Sequence, residues 1–162
     1  MVAAGKHSAA PSQATLWWED FSVGDSTEMG RHTFTEEEIV AFARQFDPQP
    51  FHIDREAAKA SIYGGLIASG WHTCSVGMRM MCETYINRSI SMGSPGVDNI
   101  RWLKPVRPGD TLVYSRTVLE ARSSRSRPEA GLVKSRWEAV NQRGERVLTM
   151  EGWGMLARKP LP

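Results

Sequence analysis

A chain of 162 residues is long enough for one domain with a sizeable core. With 41% hydrophobic and 23% charged residues, its composition is that of an ordinary globular protein. A net charge of +2 is too small to argue for nucleic acid, and no apolar run approaches the roughly 20 residues of a membrane span. Residues 1–15, rich in Ala, Ser, Gly and Pro, read as a flexible tail without the apolar stretch of a secretory signal. Residues 16–162 read as a single domain.

The folded part opens at Trp17-Trp18, and Ser26 to Phe34 predicts a first strand with His32 exposed on it. Thr35-Glu-Glu-Glu38 is a capping box, in which the Thr side chain satisfies a helix-end N–H and Glu38 reaches back. Ile39, Phe42, Ala43 and Phe46 follow at helical spacing, so a helix is predicted over Glu36 to Phe46 and ends ahead of Pro48. Asp54 can cap a short helix through Arg55 to Ala60. From Ser69 to Tyr85 a long, mostly apolar helix is predicted, with Cys74, Met78, Met81 and Tyr85 on one face and Trp71, Ser75 and Cys82 beside it. Gly77 is its one weak spot, a place for a close neighbour. Cys74 and Cys82 stand about 12 Å apart along that helix, too far for a disulfide, and read as reduced core thiols of a cytoplasmic protein.

Beyond Asn87 the pattern changes. Strands are predicted over Val97–Leu103, Thr111–Ala121, Leu132–Asn141 and Arg146–Leu156, separated by Pro- and Gly-rich turns. Strand, helices, long helix and four strands make an α+β domain, one antiparallel sheet wrapping the long helix.

Two polar, proton-handling groups fall in the segment Asp47-Pro-Gln-Pro-Phe-His52. Pro48 and Pro50 fix φ near −65° and push the preceding residues toward extended backbone, so a stiff strap is predicted rather than a helical turn. Gly70 falls at the start of the long helix, where unpaired N–H groups attract a carbonyl oxygen or an anion. The plainer reading is strong on spacing alone: Asp-Pro opens many turns, and a single His beside a helix is most often a hydrogen-bonded surface residue.

Asp47-x-x-Pro50-x-His52, followed by Tyr63-Gly-Gly-Leu-Ile-Ala-Ser-Gly70, resembles the MaoC-like dehydratase and (R)-specific enoyl-CoA hydratase family. Gln49 stands where that family has Asn, Phe46 where a small residue is usual, and Ser69 where His is usual. The run Gly93 to Asp110 is similar to mesaconyl-CoA-type hydratases. The resemblance implies the hot-dog fold, a homodimer joined edge to edge, and an acyl-CoA substrate whose coenzyme A is the only carrier needed. It implies Asp47 and His52 as the acid–base pair that adds water to, or removes it from, the C2=C3 bond of an enoyl thioester. The Gly70 N–H would hold the thioester oxygen.

Around these, Gln49 and Ser69 are candidates for orienting water or the pantetheine arm, and Trp71 and Met78, with Met81, for lining an acyl pocket; plain capping and core packing are the competing readings. Arg101, Lys104 and Arg107 come where a coenzyme A phosphate could be met, while Arg122, Arg125 and Arg127 read as a solvated hairpin tip. No interleaved aromatics suggest RNA, and no Cys or carboxylate partners His72 at metal-ligand spacing, so neither nucleic acid nor metal is expected. Two rival functions remain open at this point: a hot-dog acyl-CoA thioesterase, and a non-catalytic acyl-CoA-binding protein.

Overall fold

The computed structural model describes residues 15–160; the tail expected over residues 1–15 lies outside them except for Thr15. Five strands form one antiparallel sheet in the order β1-β3-β4-β5-β2. They are β1 (Ser26–Thr33), β2 (Gly96–Trp102), β3 (Thr111–Ser123), β4 (Ala130–Val140) and β5 (Arg146–Ala157). Between β1 and β2 come four helices: α1 (Glu36–Phe46), α2 (Pro50–Ile53), α3 (Arg55–Ala60) and α4 (Gly70–Thr84). Since β1 and β2 occupy opposite edges, this helical segment must cross the sheet, and α4 is the rod that the sheet wraps.

Local chemistry accounts for the elements. Thr35 accepts a hydrogen bond from the Glu38 amide at the start of α1, and Asp54 does the same for Ala57 at the start of α3. Burial alternates along β3, β4 and β5, as expected for a sheet with one face on a core. On the outer face Lys134, Arg136, Glu138, Arg146 and Glu151 form ion pairs in water. Leu112, Tyr114 and Leu148 on the inner face, with Phe34 after β1 and Ile39 of α1, are almost wholly buried, each apolar side chain contributing about 1.5–3 kcal/mol. A side chain at Gly77 would press on the Tyr114 ring, 3.2 Å away, so the glycine lets α4 settle close to β3.

Two expectations are corrected. The segment after Asp47 is not extended throughout: Pro50–Ile53 is one turn of helix, with Gln49 as its extended N-cap. Proline at the first helical position lacks only an N–H that would have been unpaired anyway, and its fixed φ suits the helix. The strap therefore consists of Pro48 and Gln49 alone. His32 is not simply exposed on β1; it is half-buried and hydrogen-bonds to Glu38 of α1, Nε2 to Oε1, at 2.5 Å.

The stripe of α4 read from the sequence also lies differently. The residues of α4 buried in the core are His72, Thr73, Val76, Gly77, Met80 and Met81. Cys74, Met78 and Tyr85 instead border a cavity, and Trp71 and Met78 remain 53% and 47% exposed. Cys74 and Cys82 are both free thiols. Among the described residues no helix is long and apolar enough to cross a membrane.

Candidate active site

Asp47 is the residue that closes α1, its N–H donating to the Ala43 carbonyl at 2.8 Å. Two residues later the chain turns into α2, which carries His52 inward until only 3% of it is exposed. A third contribution comes from the start of α4, where Ser69 is the N-cap and Gly70 the first helical residue. The end of one helix, one turn of another and the beginning of a third thus meet around a cavity of about 510 Å³.

Every polar atom of the pair is held. Ser69 Oγ donates to Asp47 Oδ2 at 2.7 Å, and Gln49 Nε2 donates to Asp47 Oδ1 at 2.7 Å. The His52 Nδ1–H donates to the Ile67 carbonyl at 2.7 Å, which orients the ring and turns Nε2 toward Asp47. That Nε2 lies 3.2 Å from Asp47 Oδ2. Burial pushes the Asp47 carboxyl up. The bonds from Ser69 and Gln49, with the His52 imidazole beside it, outweigh that and hold it below its ordinary value. Asp47 is therefore an ion over the whole neutral range.

At Gly70 the geometry demands glycine. A Cβ there would fall within 2.5 Å of Nε1 of the Trp102 indole, which lies over the start of the helix from β2. The Gly70 N–H has no acceptor among the described residues, while the Trp71 N–H is taken by the Ser69 hydroxyl at 3.2 Å. Thr73 Oγ1 donates to the Gly70 carbonyl and Tyr114 OH to the Thr73 carbonyl, tying this turn to β3.

The structure thus brings together Asp47, Gln49, His52, Ser69 and Gly70, with Trp71 on the rim, and places Met78 outside this cavity. Sequence reasoning missed Trp102 and the Ile67 carbonyl. Trp102 had a faint signal, as a large aromatic in a strand near the motif; a main-chain acceptor has none. Of the basic residues considered for a phosphate, Lys104 pairs with Glu145 at 2.9 Å and Arg107 Nη2 donates to the Tyr63 carbonyl at 2.6 Å. Among the described residues no group of three or more His, Cys, Asp or Glu side chains is placed to hold a metal ion.

The sequence model for the MaoC like domain matches residues 21–138, which include all of these site residues. The chain belongs to the MaoC-like domain family. A solved MaoC-like dehydratase from Rhodospirillum rubrum is 41% identical and superimposes with a TM-score of 0.82, covering 90% of this chain and 99% of that one. The uncharacterized protein YdeM of Bacillus subtilis is 26% identical over 82% of this chain and 93% of its own length. The mesaconyl-CoA hydratase of Cereibacter sphaeroides is 42% identical over 59 residues, which are 36% of this chain and only 17% of that enzyme. The architecture is the hot-dog fold: a Mycobacterium tuberculosis protein with a double hot-dog fold superimposes at a TM-score of 0.76 with 18% identity. Membership of this family carries hydratase or dehydratase chemistry in general.

Proposed function

We propose that this chain adds water to, or removes it from, the C2=C3 bond of an enoyl-CoA thioester. The single observation that carries the reading is the pair Asp47 Oδ2 and His52 Nε2, 3.2 Å apart, at the foot of a helix whose Gly70 N–H is unpaired among the described residues.

Coenzyme A enters as part of the substrate, and no other cofactor is invoked. The thioester carbonyl accepts from the Gly70 N–H, where the helix dipole favours the charge that develops on its oxygen. Water sits between Asp47 and His52. The base is assigned to His52, whose ring is held in place by the Ile67 carbonyl. His52 Nε2 takes one proton as the water oxygen bonds to C3, and the C2=C3 electrons move into an enolate. The imidazolium, stabilised by Asp47, then returns that proton to C2. The sum is one water added and nothing else consumed. Dehydration is the same sequence reversed. Ser69 and Gln49 keep the Asp47 oxygens in place rather than touching the substrate.

Val97 and Trp102 on the edge strand β2, and Leu103 just past its end, are about half exposed, and a second copy pairing there would cover them and the open edge. A homodimer is therefore part of the proposal. The two free thiols favour a cytoplasmic setting.

Loss of the enoyl absorbance of crotonyl-CoA on mixing with the purified protein tests the reading. The wild type should bleach it, and Asp47→Asn and His52→Ala should each remove most of the rate with the circular-dichroism spectrum kept. A wild type without turnover, or two variants as fast as it, would sink the assignment.

A further inference from the structure

A second cavity, of about 390 Å³, runs between α4 and the inner face of β3, β4 and β5. Its walls are mostly apolar, with Met78, Met81, Trp137 and Met150 among them, and they include no acidic side chain. They do include Arg116.

Arg116 occupies an inward position of β3, on the same face as Tyr114 and Val118, and is only 7% exposed. No carboxylate lies within ion-pair distance of it, and among the described residues its Nε and Nη1 hydrogen-bond to nothing. Its guanidinium lies over the Tyr85 ring at 4.3 Å and over the Phe21 ring at 4.9 Å, two rings that meet edge to face with centroids 6.1 Å apart. Stacking on two rings recovers part of what burial costs, yet an unpaired buried guanidinium is still expensive, and it stays charged. On its other side Arg116 borders a smaller cavity of about 330 Å³ that already carries Asp20 and Asp25. Asp25 favours the charge of Arg116 from that side without pairing with it, so a directly bound anion would come from the apolar side, whose walls carry no carboxylate.

The two main cavities share Trp71 in their walls. From Gly70, the proposed seat of the thioester oxygen, to the end of α4 at Thr84 is fifteen residues, roughly 22 Å. Tyr85, over which the Arg116 guanidinium lies, is the next residue, so the distance to be bridged is roughly 20 Å. A four-carbon diacid cannot reach. A long chain lying along the apolar wall can.

We infer that the apolar cavity takes the substrate's acyl chain and that Arg116 binds a carboxylate at its far end, making the preferred substrate a long-chain enoyl thioester that is also an ω-acid. This rests on the hydratase reading of the first cavity and adds to it a reason for a buried arginine. Arg116 is then a specificity residue, remote from the bonds that change.

The test compares two trans-2-enoyl-CoA thioesters of equal length, about 12–16 carbons to match the span, one ending in methyl and one in carboxylate. The wild type should favour the carboxylate-ended substrate by about tenfold or more in kcat/KM, and Arg116→Met should reverse or erase that ratio. Arg116→Lys, which keeps the charge, should retain part of it. The inference is overturned if the wild type favours the methyl-ended chain, or if Arg116→Met leaves the ratio unchanged. It is also overturned if a free long-chain fatty acid binds as tightly as the carboxylate-ended thioester and competes equally with both substrates. The wild-type ratio needs no variant, so misfolding of Arg116→Met leaves the test decisive. If neither crotonyl-CoA nor either long-chain thioester is hydrated, the hydratase reading alone has failed. Calorimetric binding of the same two thioesters to wild type and Arg116→Lys then decides the role of Arg116.

Discussion

Two histidine–carboxylate groups flank the beginning of α4; one lines the 510 Å³ cavity, and no residue of the other lines any of the three cavities described above. On one side His52 and Asp47 lie 3.2 Å apart beside an unpaired helix N–H, in the wall of that cavity. On the other, Glu38 accepts from His32 Nε2 at 2.5 Å and lies 3.9 Å from Nε2 of His72. There the imidazoles are closed in: Arg79 Nη2 donates to His32 Nδ1 at 3.3 Å, and His72 stacks on Phe42 with ring centroids 4.6 Å apart. The second group ties α1 and β1 to α4, while the first is left with room for water. An imidazole near a carboxylate is thus no mark of a site by itself. Space beside it, and a donor aimed into that space, make the difference.

The contrast is broken most directly at the carboxylates. His52→Ala should lower kcat for crotonyl-CoA by about 10²–10⁴-fold, the range of a positioned acid–base group, whereas Glu38→Gln should stay within about threefold. Equal losses at the two positions would erase the distinction.

Gly70→Ala comes next. The added methyl meets the Trp102 indole, so either the ring or the start of α4 must shift. A misplaced N–H should cost about tenfold to a hundredfold in kcat, and adding Trp102→Ala should restore part of it. No recovery in the double variant would mean that the indole is not what forbids a side chain there.

The smallest effect concerns pH. Burial holds the His72 imidazole below its ordinary value, with Glu38 pulling weakly the other way and His32 and Arg79 adding to the depression. The unfolded chain therefore takes up this proton first as the pH drops below about 6.5, and the fold loses stability from there downward; above it His72 is neutral in both states. Phe34 and Phe42 pack on the ring without titrating. Thermal midpoints measured from about pH 8 to pH 5 should fall less steeply in His72→Leu than in the wild type. Identical slopes would contradict this account of the ring.

Most of the fold was legible because its signals are local. The capping box before Glu36 and the apolar spacing after it placed α1 at its observed bounds, and alternation placed β3, β4 and β5 to within two residues. What failed was inference from a rule applied past its range. Proline restricts the residue before it, yet at Pro50 it starts a helical turn rather than preventing one. The stripe Cys74, Met78, Met81 and Tyr85 was visible as apolar, but periodicity cannot say whether the space facing it is filled. Arg116 was hidden for a related reason. In Leu112-Val-Tyr-Ser-Arg116-Thr-Val118 a charged residue invites assignment to the wet face, although its spacing from Tyr114 and Val118 puts it inward. Of the site, the residues near one another in sequence could be grouped beforehand. The Ile67 carbonyl on His52 and the indole over Gly70 come from the tertiary fold alone.

The central claim is that water goes to C3 and not to the thioester carbon. Incubating crotonyl-CoA with the protein in H₂¹⁸O and analysing the products by mass spectrometry tests it directly. The account predicts label in a 3-hydroxyacyl-CoA with no release of free thiol. Label in a free carboxylate, with coenzyme A thiol set free in equal amount, would contradict it.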